Sequence, residues 1–523
     1  MTNFVQAATL KAWLGEPREL ALLDVREHGQ YGEAHLFHAV PLPYSRLELE
    51  LGHLVPRKSA RIVFYDETGD EAAPLAARRA AAAGYGDVQV LAAGAQGWKA
   101  SGYGLFAGVN VPSKTFGELA EHAFATPRVS ASELRDMIAR GEDLVVIDGR
   151  PYAEYQKMSI PGALCCPNGE LALRIGRIAP DPRTKIVVNC AGRTRSIIGA
   201  QTLINFGVPN PVYALENGTQ GWFLAGLELE HGAQGRYPEA PSGPELERLS
   251  ARGAALMSRF KVPQVDAEDA ARWFADESRT TYLFDLRTAE EFAAGHLQGA
   301  VHAPGGQLVQ ATDQWVGVRG ARLVLVDAEC LRAPLMALWL RQLGHDAHVL
   351  VGGVQAKLRV PDVPDTLASL PELARVQPQA AAAAGGAIMD LRPGMSYRKG
   401  HAAGSVWSIR PQLARARFAA GEPLFLIADE PALARAAALD LREAGAHEIA
   451  LVEGGFAGWQ AAGLGVEASH YRPSDADCID YLFFTHERHA GNAAAARQYL
   501  AWETNLVNQL DAQERASFAI VHD

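Results

Sequence analysis

Only five cysteines, Cys165, Cys166, Cys190, Cys330 and Cys478, are spread over 523 residues, too few for the disulfide framework of a small secreted module. No spacing among them, with or without histidine, matches a zinc site, so neither a metal nor another cofactor is expected. Cations are not in excess: 49 lysines and arginines face 60 acids, a net charge of -11. Nucleic acid and anionic membranes attract surfaces rich in Lys and Arg, so neither is expected as a partner. No run of about twenty apolar residues is present to cross a bilayer. The opening Met-Thr-Asn-Phe-Val-Gln lacks the cationic stretch, apolar core and small-residue cleavage site of a secretory signal. A reducing cytoplasm is the expected location.

What the chain has in abundance is repetition. An apolar strand ending in Asp-x-Arg occurs four times, at Asp24-Val-Arg26, Asp148-Gly-Arg150, Asp285-Leu-Arg287 and Asp390-Leu-Arg392. Each copy is followed by an acidic or aromatic turn and a loop rich in Gly, Ala and His, clearest in Glu291-Phe-Ala-Ala-Gly-His296 and Tyr397-Arg-Lys-Gly-His401. A second apolar strand comes next, then an Ala/Leu-rich helix ending at Gly84, Gly207, Gly344 or Gly445, where glycine suits the C-terminal cap. Three copies close on Gly-x-x-Gly-Trp or a near variant, at Trp98, Trp222 and Trp459. From the Asp of Asp-x-Arg to Asp66, Cys190 and Asp327 the interval is 42 residues each time, and to Asp429 it is 39. Strands alternating with helices predict an α/β fold, each unit a mostly parallel sheet covered by helices on both faces.

One stretch stands apart: Lys185-Ile-Val-Val-Asn-Cys-Ala-Gly-Arg-Thr-Arg-Ser-Ile-Ile-Gly199. It reads as a buried strand, a tight turn carrying Cys190, and the start of a helix. Unpaired N–H groups, the positive end of the helix dipole and two arginines converge at such a place, and all favour a thiolate over a thiol. An inert buried cysteine is the alternative, and the flanking arginines and small residues count against it.

Taken in order, the Asp-x-Arg strand end, the Glu-Tyr/Phe…Gly-His-x-x-Gly-Ala loop, the strand–cysteine loop–helix and the Gly-x-x-Gly-Trp closure resemble the rhodanese (thiosulfate sulfurtransferase) family. The resemblance implies four tandem rhodanese-like domains: 1–108, inactive with Asp66 at the cysteine position; 125–232, active with Cys190; 258–362, inactive with Asp327; and 378–468, inactive with Asp429. A helical tail, 469–523, follows, in which Tyr499 to Leu510 has apolar residues at helical spacing and reads as an amphipathic helix that docks on the body or on a partner. It also implies a sulfurtransferase in which Cys190 takes sulfane sulfur from an anionic donor such as thiosulfate, is held as a persulfide, and passes the sulfur to cyanide or a thiol. Ala191, Gly192, Arg193, Thr194, Arg195 and Ser196 form the binding loop, with Arg193 and Arg195 on the donor's oxygens. The expected partners are these small molecules, and a homodimer is left open.

Three rival readings follow from the same residues. A cysteine phosphatase or arsenate reductase also uses a Cys-loop-Arg cradle, but with five residues between Cys and Arg where this chain has four. A mercaptopyruvate sulfurtransferase favours a small, uncharged loop. A multi-domain scaffold or redox sensor would account for three units without the cysteine. The recurring Asp148, Arg150 and Glu154 types, His296, His401 and the closing tryptophans are expected to be scaffold. Cys165 and Cys166 are expected in the core and Cys330 in a loop. His486 and His489 read as a solvated pair.

Overall fold

The computed structural model describes residues 3–361, 363–415, 422–483 and 491–521. Its contacts divide the chain into two compact units. One is Met1–Glu16, Leu20–Val109 and Val363–Phe484; the other is Pro17–Glu19, Asn110–Asp362 and Thr485–Asp523. The first holds sequence repeats one and four, the second repeats two and three.

Each repeat builds one five-stranded sheet, and the strand order is the same in all four: first, fifth, fourth, second, third. In repeat two the strands are Arg128–Val129, Leu144–Asp148, Leu164–Cys165, Lys185–Asn189 and Val212–Leu215. Every neighbouring pair in it is parallel. The fourth strand sits in the middle, and Ile186, Val187 and Val188 are fully buried. An uninterrupted apolar run is what a strand covered on both faces requires. The chain leaves the second and fourth strands in opposite directions, so their carboxyl ends border the crevice where such sheets place their sites. Asp148 and Cys190 lie at those two ends.

The Asp-x-Arg signature becomes the same buried ion pair in all four repeats. Arg26, Arg150, Arg287 and Arg392 each bind the Asp two residues earlier, at 2.6, 2.7, 2.6 and 2.7 Å. The same guanidinium also donates to a carbonyl eight residues on, of Ala34, Met158, Gly295 or Gly400. The closing tryptophans likewise serve the scaffold: Trp98, Trp222 and Trp459 each donate Nε1–H to the carbonyl six residues on. His296 and His401 stack on Phe292 and Tyr397 at 3.8 Å between ring centroids, as His35 does on Tyr31 at 4.0 Å.

Two expectations need correction. Asp390 pairs with Ile427 across the fourth sheet as Asp148 pairs with Asn189 in the second. The residue that corresponds to Cys190 in repeat four is therefore Ala428, not Asp429; the segment between the two strands is shorter there, which displaced the count. The stretch between repeats one and two forms the helix Val111–Phe124, started by Pro112 in the first turn, where a missing N–H costs nothing. Among the described residues the tail is helical only from Ala493, through Ala493–Gln509 and Ala512–Arg515. Its earlier part lies as turns against repeats one and four, with Ile479 accepting from the Gly29 N–H at 2.9 Å and Asp480 from that of Gly394 at 2.8 Å. His486 and His489 lie outside the described residues. No helix among the described residues is long and apolar enough to cross a membrane.

Candidate active site

Cys190 follows the central strand Lys185–Asn189 and precedes the helix Thr194–Phe206, which Gly207 ends at φ +75°. It is 2% exposed, and its Sγ accepts a hydrogen bond from Ser196 Oγ at 3.2 Å. The loop is fastened from below by the closing turn. Thr219 N–H donates to the Cys190 carbonyl at 2.8 Å, and Gln220 N–H to that of Ala191 at 3.1 Å. Gly218 lies directly under the Cys190 carbonyl at φ +54°, and a Cβ there would run into that oxygen. Gly94, Gly353 and Gly455 meet the carbonyls of Asp66, Asp327 and Ala428 in the same way. The first glycine of the closure is thus the floor of the loop in every repeat.

Repeats one and three reveal what such a loop binds. The Asp327 carboxylate accepts backbone N–H groups from Cys330 at 2.9 Å and from Leu331 and Ala333 at 2.8 Å. The Asp66 carboxylate accepts from Thr68, Gly69, Glu71 and Ala73. These loops are cradles of amides closed around an anion, built as helix N-termini and backbone nests generally are. Burial pushes the Asp327 carboxyl up to about 6, and the amides of Ala333 and Leu331 act against that rise by favouring the carboxylate. Counting from Cys190 as from Asp327 brings Arg193, Thr194 and Ser196 to the positions of the three donors.

The two arginines of the loop are both committed to carboxylates. Arg193 binds Glu118 through Nε at 2.6 Å and Nη2 at 3.0 Å, and also pairs with Glu121. Both acids come from the helix Val111–Phe124. Burial opposes the Arg193 charge, and these carboxylates outweigh it, holding the guanidinium protonated. The expectation that Arg193 grips the donor therefore fails: its guanidinium braces the loop against the neighbouring helix. Arg195 pairs with both oxygens of Glu154 at 2.8 Å. Arg332 and Glu291 repeat that pair in the third repeat at 2.6 and 2.9 Å.

Repeats two and three meet at this point. Arg195 Nη1 reaches Gln307 Oε1 of repeat three at 3.4 Å, and Arg332 Nη1 reaches Glu170 Oε1 of repeat two at 2.8 Å. Between them Gly169 and Gly306 pack backbone to backbone, since a Cβ on either would stand 2.9 Å from the other's amide nitrogen. Repeat three, though it lacks the cysteine, contributes directly to holding Arg195.

The tail helix Ala493–Gln509 completes the surroundings. Glu503 accepts from Thr194 Oγ1 at 3.0 Å. A Cβ at Gly192 would lie 2.8 Å from Glu503 Oε2 and 3.3 Å from Tyr499 Cε1, so a larger residue there would have to displace these tail side chains. Cys165 and Cys166 are buried; burial pushes the first thiol up to about 12 and the second well above its ordinary value. Burial also raises Cys330, to about 11. These remain protonated thiols, and none matches the setting of Cys190. Among the described residues no group of three His, Cys, Asp or Glu side chains is arranged to hold a metal ion.

A model of the rhodanese-like domain matches residues 6–101, 130–225 and 266–357. The chain belongs to the rhodanese family. Over its whole length it is similar to a thiosulfate sulfurtransferase from Pseudomonas aeruginosa known from its crystal structure. The two are 40% identical, with 99% of this chain and 100% of the other covered, at a TM-score of 0.91. A curated relative, the HTH-type transcriptional regulator Rv0324 of Mycobacterium tuberculosis, is 34% identical over 137 residues, 25% of this chain. The chain spans 58% of that relative's length. The fourth sheet has the rhodanese strand order although the family model does not extend to it.

Residues that sequence reading did not single out are Glu118, Glu121, Gln220, Gln307, Tyr499 and Glu503. For Glu118 and Glu121 the available signal was the spacing Phe116, Ala120, Phe124 after Pro112, an apolar stripe at helical period.

Proposed function

We propose that this protein is a sulfurtransferase that moves sulfane sulfur through a persulfide on Cys190. The observation that carries the proposal is the position of the sulfur. Cys190 stands where repeats one and three place an anionic carboxylate among loop amides. A persulfide carries its negative charge on the outer sulfur, and amides fixed in advance stabilise it without reorganisation. In the first half-reaction the Cys190 thiolate attacks the outer sulfur of thiosulfate. A new S–S bond forms, the old one breaks, and sulfite leaves with the electron pair. In the second, an acceptor nucleophile attacks the sulfur now bound to Cys190, and the cysteine departs as thiolate. Ser196 donates to Sγ in the resting state and again when the thiolate is released. Arg195, fixed by Glu154 and Gln307, adds positive charge beside the sulfur. The likeness to the Pseudomonas aeruginosa thiosulfate sulfurtransferase supports the donor class.

Intact mass after incubation with thiosulfate tests this. Wild type is expected to gain one sulfur atom that cyanide removes, while Cys190→Ser gains none. Equal gain on both, or none on either, would overturn the reading. A second expectation concerns the floor of the loop. Gly218→Ala should lower kcat/KM for thiosulfate by about 100-fold, because displacing a reacting group by about 1 Å costs on that order. The check is steady-state kinetics beside a circular dichroism spectrum like that of wild type; kinetics like wild type would show that the loop tolerates the shift.

A further inference from the structure

Two buried polar groups beside the cysteine loop are unused by the transfer as derived. Glu503, on the tail helix, is 1% exposed; Thr194 takes its Oε1, and Oε2 has no hydrogen-bond partner among the described residues. Gln220 is 2% exposed, and neither its side-chain nitrogen nor its oxygen has a partner among the described residues. Both groups converge on Gly192, two residues from the sulfur: a Cβ there would lie 2.8 Å from Glu503 Oε2 and 3.5 Å from Gln220 Nε2. Leaving such groups unpaired in a folded protein forfeits their hydration without return, which is the mark of a polar subsite rather than of packing.

The charge around the loop points to what the subsite takes. Arg193 is matched by Glu118 and Glu121, and Arg195 by Glu154. Lys114, the third cation near the tail, lies over the rings of Tyr499 and Trp502 at 5.1 and 4.7 Å. Glu121 also takes Arg128 at 3.2 Å, so what singles this place out is the Oε2 of Glu503, unpartnered among the described residues. In a site this buried, a carboxylate repels another anion far more than it does in water.

We propose that Glu503 is a specificity-determining residue that, with Gln220, makes the site prefer a small acceptor thiol carrying an ammonium group over one carrying a carboxylate. The ammonium donates to Glu503 Oε2, and Gln220 offers both a donor and an acceptor to the rest of the molecule. The acceptor thiolate attacks the outer sulfur of the Cys190 persulfide and forms a new S–S bond. The bond to Cys190 Sγ breaks, and its electron pair stays on Cys190. The proton lost by the acceptor thiol ends on the product persulfide or in water, and no oxidant or reductant is consumed. The proposal rests on the sulfurtransferase reading above, and on Glu503 discriminating by charge, as specificity through repulsion requires.

The test loads Cys190 with thiosulfate, removes the donor, confirms the added sulfur by intact mass, and then follows its discharge by three thiols of similar size. Cysteamine carries an ammonium, 2-mercaptoethanol is neutral, and mercaptoacetate carries a carboxylate. With 2-mercaptoethanol as reference, the ratio of cysteamine to mercaptoacetate rates should be about tenfold or more higher in wild type than in Glu503→Gln, a difference of about 1.4 kcal/mol. Glu503→Asp, which keeps the charge, should retain most of the preference. The same ratio in wild type and Glu503→Gln, or all three rates falling by one factor, would overturn the proposal and leave a packing role. If no sulfur is found on Cys190 before any acceptor is added, the sulfurtransferase reading itself fails, and this proposal with it.

Discussion

Replacing Cys190 by serine or by aspartate is expected to abolish sulfur transfer while leaving the domain folded. Serine retains the hydrogen bond with Ser196, since an Oγ accepts where Sγ did, but a hydroxyl does not ionise near neutral pH and forms no stable bond to sulfane sulfur. Loss of a covalent nucleophile costs on the order of 10^4-fold or more in rate. Aspartate is the sharper variant, because repeat three already shows the result: Asp327 sits in a loop of the same length, held by three amides. Cys190→Asp should therefore unfold at a temperature equal to or above that of wild type and carry no activity. Thiosulfate:cyanide turnover and a thermal scan of both variants give the answer. Residual turnover in either within about a hundredfold of wild type would place the chemistry on another residue.

The second large effect is one of stability. Arg150→Ala leaves the Asp148 carboxylate, fully buried, without its cation, and removing one partner of a buried ion pair costs about 3–5 kcal/mol. The unit that holds repeats two and three should melt at lower denaturant concentration, and sulfur transfer should vanish with it. The other repeats supply the control. Arg392→Ala breaks the matching pair with Asp390 and should produce an early transition of the same size while sulfur loading of Cys190 persists. Urea titrations followed by both fluorescence and activity separate the two cases. Coincident loss of activity in both variants would mean that the two units unfold as one.

The scaffold was legible in the sequence because its interactions are short-range. The Asp–Arg pairs span two residues, the tryptophan bonds six, and the strands have apolar centres such as Ile186 to Val188. A repeated local pattern stands out by comparison with its own copies. What escaped is long-range. Arg193 finds Glu118 across 75 positions, Arg195 finds Gln307 across 112, and Thr194 finds Glu503 across 309. Spacing carries no trace of such pairings, so two arginines beside a cysteine read as free cations. The register of repeat four failed for a related reason: residue counting assumes a constant connection, whereas strand pairing fixes Ala428 regardless of how short the connection is.

The carboxylates inside the loops of repeats one and three mean that those loops are born with their ligand covalently attached. Each folds around its own charge and keeps its shape with no outside help. The loop of Cys190 has no such permanent guest, since its anion comes and goes with each turnover. Its shape must be imposed from the periphery, and the structure supplies the clamps: Arg193 tied to the helix Val111–Phe124, Arg195 tied to Glu154 and Gln307, and Gly192 pressed beneath Tyr499 and Glu503. Repeat three, the helix before repeat two and the tail are then the mould that keeps an empty receptacle open between one sulfur atom and the next.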